Sequence, residues 1–257
     1  MQEDLNYTER RSAILELLAR EGRVFVSELA QRFGITEVTV RSDLMELESR
    51  GQLERIRGGA LPVRGGYYNM SLSERSQERA DEKRRIARAA VTHLRDGETL
   101  FINSGTTTLF VAQELSALSN LKVVTNSIPI AQTLSQNTGH TVILLGGDLN
   151  ARYLFTYGSD ALSQLRRYKA DRLILSVDGV APDCGLSTYH FEEADLDRLM
   201  MERANGVIVV ADDSKLGRES FVGIAPMDGV DELITSACAS DPIVKQIEAM
   251  GVRVHPA

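Results

Sequence analysis

The 257-residue chain has no tryptophan, only two cysteines and an aromatic fraction of 5%. The cysteines, Cys184 and Cys238, show no CxxC spacing and no neighbouring ligand cluster. That excludes a disulfide framework and a thiolate metal site, and predicts buried or incidental thiols. No run approaches the roughly 18 apolar residues of a membrane span. The opening Met1-Gln-Glu-Asp4 lacks the basic-then-apolar layout of a secretory signal. The expectation is a cytoplasmic protein with no membrane partner, no cofactor and no metal. The scarcity of aromatics argues against RNA recognition by stacking, because residues 1–60 offer only Tyr7, Phe25 and Phe33, and the two phenylalanines suit a core. A basic balance is also missing. The net charge is −7, and residues 1–60 hold nine arginines, no lysine and eleven acidic residues. The usual electrostatic footprint of nucleic-acid binding is therefore absent from the sum and has to come from distribution. Arg55, Arg57 and Arg64 cluster together, whereas Glu3, Asp4, Glu9 and Glu16 lie on or before the first helix.

What the chain does have is a hydrophobic fraction of 43%, enough for real cores, and one informative stretch, Glu28 to Leu44. It reads as a helix capped by Ser27, a turn at Gly34 and a second helix capped by Thr36. The second helix runs from Glu37 to about Arg50 and stops at Gly51. It carries Glu37, Thr39, Arg41 and Ser42 near its start, while Val38, Val40 and Leu44 are expected to pack inward. This is the layout of a helix-turn-helix, whose second helix enters the DNA major groove. Ile14, Leu17 and Leu18 mark a preceding helix over 8–20, ended by Gly22. Val24-Phe-Val26 suits a short strand, and Gln52–Ala60 alternates towards Gly58-Gly59 as a two-stranded wing would. Arg41 is the expected base or phosphate contact, since its fork pairs bidentately with guanine. Thr39 and Ser42 suit phosphate or base edges. Arg55, Arg57 and the Gly58-Gly59 backbone suit a phosphate backbone, although an ordinary turn also explains the glycine pair. Asp43 is expected to pair with an arginine inside the domain.

Residues 1–60 thus form the expected DNA-binding domain, and 61–82, with Pro62, Gly65-Gly66 and the charged run Glu74–Arg79, the expected linker. From 83 to 257, after a helix over Glu82–Leu94, short apolar runs alternate with amphipathic segments. Strands are expected at Thr99–Asn103, Lys122–Asn126, Thr141–Leu145, Arg172–Val177, Val207–Ala211, Glu232–Thr235 and Val252–His255. Helices fall between them, at Thr106–Leu118, Ile128–Gln136, Ser159–Tyr168, Glu193–Asn205 and Pro242–Met250. This alternation implies a mostly parallel, Rossmann-like α/β sheet covered on both faces. Ligands then bind beyond the carboxyl ends of the strands. Those ends are polar. Asn103-Ser-Gly-Thr-Thr-Thr108 opens a helix with hydroxyls around a glycine, which suits an anion; no Gly-Lys-Ser/Thr follows, so it is not a P-loop. The other ends carry Asn126, Gly146-Gly147, Asp178, Glu192-Glu193 and Lys215, whose compact ammonium suits phosphate.

The run Arg10–Ala60, with Thr39-Val-Arg-Ser-Asp-Leu44 and Arg57-Gly-Gly-Ala60, closely resembles the DNA-binding domain of the DeoR family of bacterial transcriptional regulators. Ser104-Gly-Thr-Thr-Thr108, Thr125-Asn-Ser127, Leu144-Leu-Gly-Gly147, Val177-Asp-Gly179, Glu192-Glu-Ala194 and Ala211-Asp-Asp-Ser-Lys215 resemble its effector domain, in order and spacing. The resemblance implies a winged helix reading operator DNA, usually as an oligomer, here a homodimer or homotetramer. It also implies an effector domain folded like ribose-5-phosphate isomerase, with a phosphorylated sugar seated at Ser104–Thr108 and Asp178, Glu193 and Lys215 at the sugar end. Four positions depart from the family pattern. Asn103 stands where many members have Asp, and Asn150 where an arginine is frequent, with Arg152 two residues on. Asp197 replaces Lys or Asn, and Asp213 replaces Ser. The more acidic rim suggests a cationic group on the ligand, and Gly185-Leu-Ser-Thr188 resembles the amino-sugar and galactose-type branch. The function expected is a non-enzymatic repressor of a carbohydrate-use operon. The competing reading is a sugar-phosphate isomerase or related hydrolase with Asp178 and Glu193 as acid and base, for which a helix-turn-helix has no use.

Overall fold

The computed structural model describes residues 7–21, 23–49, 53–56, 58–62, 70–136 and 139–257, which divide into two compact units at Met70/Ser71. The expectations placed on Gly22, on 50–52, on Arg57 and on 64–66 fall outside the described residues.

The first unit packs α1 (Tyr7–Glu21), α2 (Val26–Phe33) and α3 (Glu37–Ser49) against a small sheet of β1 (Val24–Phe25), β2 (Leu53–Ile56) and β3 (Gly59–Pro62), in the order β1-β3-β2. Its core joins Ile14, Leu17 and Leu18 of α1, Val26 and Leu29 of α2, and Val40, Leu44 and Leu47 of α3. Gly34 closes α2 in the left-handed conformation (φ 65°), which only glycine adopts without strain, and its N–H bonds to the Ala30 carbonyl. Two expectations are corrected here. Val38 is 72% exposed: two helical steps turn about 200°, so it lies opposite Val40, and the inward stripe is Val40, Leu44 and Leu47. Ser27 does not cap α2. The helix begins at Val26 after Phe25, because the β1–β3 pairing holds Val24-Phe25 extended and the Val26 N–H bonds to the Gly58 carbonyl at 2.9 Å. Asp43 is buried on α3 and takes both arginines, Arg10 Nε at 2.6 Å and Arg11 Nε at 2.9 Å, the pairing inside the domain that the sequence led us to expect.

The second unit begins with α4 (Leu72–Gln77) and α5 (Ala80–Val91), so helix occupies 72–77 and 80–82 of the segment 61–82 expected as a linker. Ser71 and Glu74 form a reciprocal capping box at the start of α4. Lys83 is buried, and its ammonium donates to the Arg75 and Glu78 carbonyls, each at 2.6 Å, which fixes the turn between the two helices. Among the described residues the main sheet has seven parallel strands. They are β4 (Thr99–Ile102), β5 (Lys122–Thr125), β6 (Thr141–Leu144), β9 (Arg172–Ser176), β12 (Val207–Ala211), β14 (Glu232–Thr235) and β15 (Arg253–Pro256), in the order β15-β14-β12-β9-β4-β5-β6. All seven expected strands are present. Alternate residues feed two cores, as a sheet covered on both faces requires. Leu100, Ile102, Ile174, Ile208 and Val210 pack with α5, α6 (Thr106–Glu114) and α7 (Ile128–Ser135). Phe101, Leu173, Leu175, Val207 and Val209 pack with α8 (Ser159–Leu165), α9 (Phe191–Arg203) and α10 (Pro242–Ala249). Two antiparallel additions were not anticipated: the hairpin of β7 (Asp148–Asn150) with β8 (Phe155–Tyr157), and a sheet of β10 (Gly179–Ala181), β11 (Gly185–Thr188) and β13 (Val222–Ala225). Cys184 and Cys238 are both exposed.

Strand order runs outward from β4 through β5 to β6 on one side and from β9 through β12 on the other. The reversal between β4 and β9 is the switch point at which an open α/β sheet binds its ligand.

Replacing Asp43 with Ala leaves two half-buried guanidiniums facing each other. The winged-helix unit should lose roughly 3 kcal/mol, the low end for breaking a buried pair. Calorimetry of the first unit's transition checks this, and a loss below about 0.5 kcal/mol would reduce the pair to an ordinary surface contact.

Candidate functional site

The first unit offers an exposed face on α3. Glu37, Val38, Arg41, Ser42 and Met45 share it, one or two helical turns apart. Arg41 Nη2 lies 2.6 Å from Glu37 Oε2, one turn earlier, in an exposed pair that holds the guanidinium along the helix. Thr36 caps α3 through its hydroxyl, which accepts the Thr39 N–H at 3.2 Å and lies 2.9 Å from the Thr39 hydroxyl. Arg55 on β2 is tied back to Glu48 of α3 by its N–H at 3.0 Å and its guanidinium at 3.6 Å. Gly59 has a packing reason for lacking a side chain, since a Cβ there would fall 2.1 Å from the Val24 carbonyl oxygen. Gly58 sits exposed at the wing turn. Sequence patterning did not pick Val38 and Met45 for this face; counting the helical angle from Val40 would have found both.

The second unit gathers its polar residues at the switch point. Asn103, just after β4, is buried and wholly engaged: its amide nitrogen donates to the Ser176 carbonyl (2.9 Å) and to Asp197 Oδ1 (3.1 Å), and its oxygen accepts the Ser176 N–H (2.9 Å). An aspartate at 103 could not donate to a carboxylate at 197. Asn103 and Asp197 are thus direct partners, the amide of one donating to the carboxylate of the other. Gly105 leaves room for Ser176, whose Oγ would lie 1.9 Å from a Cβ. The Ser104 N–H donates to Asn126 Oδ1 (3.1 Å), and its hydroxyl makes a very short bond to the Glu193 carboxylate. Asn126 in turn donates to the Thr156 carbonyl at 3.2 Å, joining the loop to β8. Thr108 spends its hydroxyl on the Asn103 and Gly105 carbonyls (3.0 and 3.1 Å).

Thr106 and Thr107 remain. Both are buried on the first turn of α6, and among the described residues their hydroxyls make no hydrogen bond. The first-turn amides of a helix have no carbonyl partner of their own. Amides and hydroxyls together make a donor-rich recess.

Three buried carboxylates stand by this loop: Asp178, Glu193 and Asp197. Asp178 accepts from Arg75 Nη2 (3.1 Å), the Tyr189 N–H (3.0 Å) and the Thr188 hydroxyl (3.3 Å). Arg75, on α4, lies 5.2 Å above the Tyr153 ring, and Tyr153 packs on His190 with ring centres 4.4 Å apart. No local signal marks Arg75 in the sequence, because its partner is 103 residues away. Burial pushes the Glu193 carboxyl well above the usual range, with repulsion from Asp197 adding to it and the Ser104 hydroxyl opposing it. Burial likewise raises Asp197 to about 7 against the Asn103 hydrogen bond.

Other expected site residues are placed differently. The Gly146 N–H bonds to Gln164 of α8 at 3.1 Å, and Gly147 packs so closely on the Tyr157 carbonyl that a Cβ would fall 2.3 Å from it. Gly147 thus has a packing reason for lacking a side chain, whereas at Gly146 a Cβ would meet only the end of the Gln164 side chain. Arg152 is exposed in the β7–β8 turn, where the Asn150 side chain accepts its N–H at 3.2 Å. Lys215 is buried in the turn after β12. Beside it, Arg79 bridges Asp212, Asp213 and Glu82. Both acids that suggested a cationic ligand group, Asp197 and Asp213, therefore already have partners within the protein.

A winged helix-turn-helix followed by an α/β unit with a donor-rich loop at its switch point defines the class: a two-part DNA-binding regulator with a sensor domain. The family DeoR-like helix-turn-helix domain matches residues 10–63, and the family DeoR C terminal sensor domain matches 78–237. HTH-type transcriptional regulator GlpR of Haloferax volcanii is 36% identical over 246 residues, covering 96% of each chain. HTH-type transcriptional repressor GlcR of Bacillus subtilis is 32% identical, covering 96% of this chain and 95% of its own. The glycerol-3-phosphate regulon repressor of Escherichia coli is 34% identical, covering 91% and 92%. The chain belongs to the DeoR family of helix-turn-helix transcriptional regulators. Among solved structures, ribose 5-phosphate isomerase A of Methanocaldococcus jannaschii aligns over 53% of this chain and 54% of its own, at 19% identity and a TM-score of 0.39, a likeness too loose to bear on chemistry.

The raised Asp197 pKa has a signed consequence. The folded state keeps a proton that the unfolded chain has already released, so stability present at low pH is lost as pH rises from the usual aspartate range to about 7. Asp197→Asn removes that penalty. Its calorimetric midpoint, relative to wild type, should move upward as pH rises through that window, whereas a pH-independent difference would show that Asp197 ionises normally.

Proposed function

We propose that the protein is a repressor of a carbohydrate-use operon whose operator affinity is set by a phosphorylated sugar bound in the sensor unit. The observation that carries the ligand class is the first turn of α6, where buried Thr106 and Thr107 leave hydroxyls and amides without acceptors. A helix N-terminus lined in this way suits a phosphate dianion. Ser104, Gly105 and Thr108 shape that turn, while Asn103 and Asn126 brace it. Asp178, Glu193 and Lys215 are the proposed sugar-end residues, with Arg75 and Tyr153 beside Asp178. Gly146, Gly147 and Arg152 flank the site. Two relatives support a repressor answering to a small phosphate ester, in that the name of one places it at glycerol-3-phosphate regulation and both are named repressors. The carboxylates serve recognition. Asp178 already accepts three hydrogen bonds and Glu193 is held by Ser104, so neither is a free acid or base for isomerisation.

On the DNA side, Arg41 reads base edges and Ser42, Thr39, Arg55, Arg57 and the Gly58-Gly59 turn meet phosphates, with Thr36 and Glu37 setting the start of the helix. Val38 presents an isopropyl group beside Arg41, suited to a thymine methyl. The chain acts as a homodimer or homotetramer, which places two recognition helices about one helical turn of DNA apart. Effector binds one arrangement of the sensor unit better than the other and biases that spacing. Coupling of about 1–3 kcal/mol would change operator affinity roughly 5- to 150-fold.

Two variants separate the halves of this scheme. Arg41→Ala should weaken operator binding by about 5- to 150-fold for each half-site, the worth of one bidentate contact, with sugar-phosphate binding intact; loss of both would indicate misfolding. Thr107→Val should blunt the effector response and spare effector-free operator binding. Fluorescence anisotropy on the DNA upstream of the protein's own operon, across a panel of phosphorylated sugars and amino sugars, reads both. Unchanged effector sensitivity in Thr107→Val would move the phosphate elsewhere.

A further inference from the structure

Glu232, the first residue of β14, lies at the amino end of the sheet, away from the effector loops at the carboxyl ends. His255 on the neighbouring strand β15 and His93, just after α5, both converge on it. His93 Nδ1 is 2.8 Å from Glu232 Oε2, and His255 Nε2 is 2.9 Å from the same oxygen. The two rings are 4.3 Å apart, and the three donor atoms all lie within 4.8 Å of one another. The other carboxylate oxygen is held from behind by Arg253 Nη2 at 3.0 Å, with Arg172 Nη1 at 3.8 Å. Oε2 is thereby aimed at the two histidines. Glu232 is buried while both imidazoles keep an exposed edge.

We propose that His93, Glu232 and His255 bind a divalent transition-metal cation of the Zn²⁺ type. Two imidazole nitrogens and one carboxylate oxygen are a donor set Zn²⁺ accepts, with water completing the shell. Bonds of about 2.0–2.1 Å at tetrahedral angles place donors roughly 3.3 Å apart, so each nitrogen–oxygen separation, 2.8 and 2.9 Å, needs to widen by about half an ångström, and the two nitrogens already lie within 4.8 Å of each other. His93 lies beyond the end of α5 and can give that much. Arg253 plays the part of an outer partner that orients a ligating carboxylate. The two guanidiniums also repel a cation, which makes the site weaker than a closed four-ligand zinc centre. Its consequence is mechanical: the ion would tie β15, an edge strand, to β14 and to the end of α5. The three residues are far apart in sequence, so no motif announces them. The Glu82, Asp212 and Asp213 carboxylates differ in kind, because the Arg79 guanidinium already lies among them.

Calorimetric titration of the full chain with Zn²⁺, in a Cys184→Ser, Cys238→Ser background that removes the exposed thiols, tests the site. The expected result is one equivalent per chain and a raised thermal midpoint. His255→Ala and His93→Gln should each weaken binding by about 100-fold or more, given that even outer partners are worth 10- to 100-fold. The His93→Gln variant, outside any strand, guards against a folding defect in the other. A Co²⁺ absorption spectrum that changes in both variants would confirm imidazole ligation. No binding by the parent chain, or equal binding by parent and His93→Gln, would overturn the assignment and leave Glu232 as an ion-pair hub.

Discussion

The Asn103 side chain is the constraint on which the sensor unit's site depends. It bonds to both the N–H and the carbonyl of Ser176 and so closes the gap between β4 and β9 where strand order reverses. From there the rest follows in sequence. Ser176 stands close enough to demand glycine at 105, the glycine lets α6 begin directly over the clasp, and Ser104 is left to reach Asn126 and Glu193. Asn103 also holds Asp197 through its amide, which is how a buried carboxylate without a cation in its own hydrogen bond is tolerated. The cost of that burial appears as raised pKa values on Asp197 and Glu193.

The same accounting of partners places three acids of the first unit but leaves its balance acidic, because they take four arginines with them. Its acidic sum seemed at odds with DNA. Asp43, however, is buried and neutralised by Arg10 and Arg11, and Glu37 and Glu48 are paired with Arg41 and Arg55. A net count treats these acids as surface charge, whereas one is interior and two lie in short-range pairs that DNA phosphates can compete for. What α3 offers outward is then set by geometry, with Arg41 and Ser42 flanked by Val38 and Met45.

Much of the fold was legible because it rests on periodicity. The seven strands and the helices between them follow from alternating apolar runs, and α3 from Val40 and Leu44, to which the structure adds Leu47. The errors came where a local rule was overridden. Val38 was assigned inward by residue type when the helical angle put it out. Ser27 looked like a cap, but the wing supplied the hydrogen bond through the Gly58 carbonyl.

By itself, the sequence determined the two-part architecture, the helix-turn-helix and the hydroxyl-rich turn at a strand end, since each rests on the periodicity of apolar residues or on residues adjacent in the chain. Tertiary structure alone decided which of those polar groups are already spent. Asn103, Asn126 and Thr108 turn out to be braces, Gly59, Gly105 and Gly147 to be spacers, and Thr106 and Thr107 to be available. It also brought Arg75 to Asp178 and His93 and His255 to Glu232. Hydrogen bonds act over about 3 Å in space, and partners on different strands and helices have no fixed separation along the chain, so no pattern in the sequence can record them.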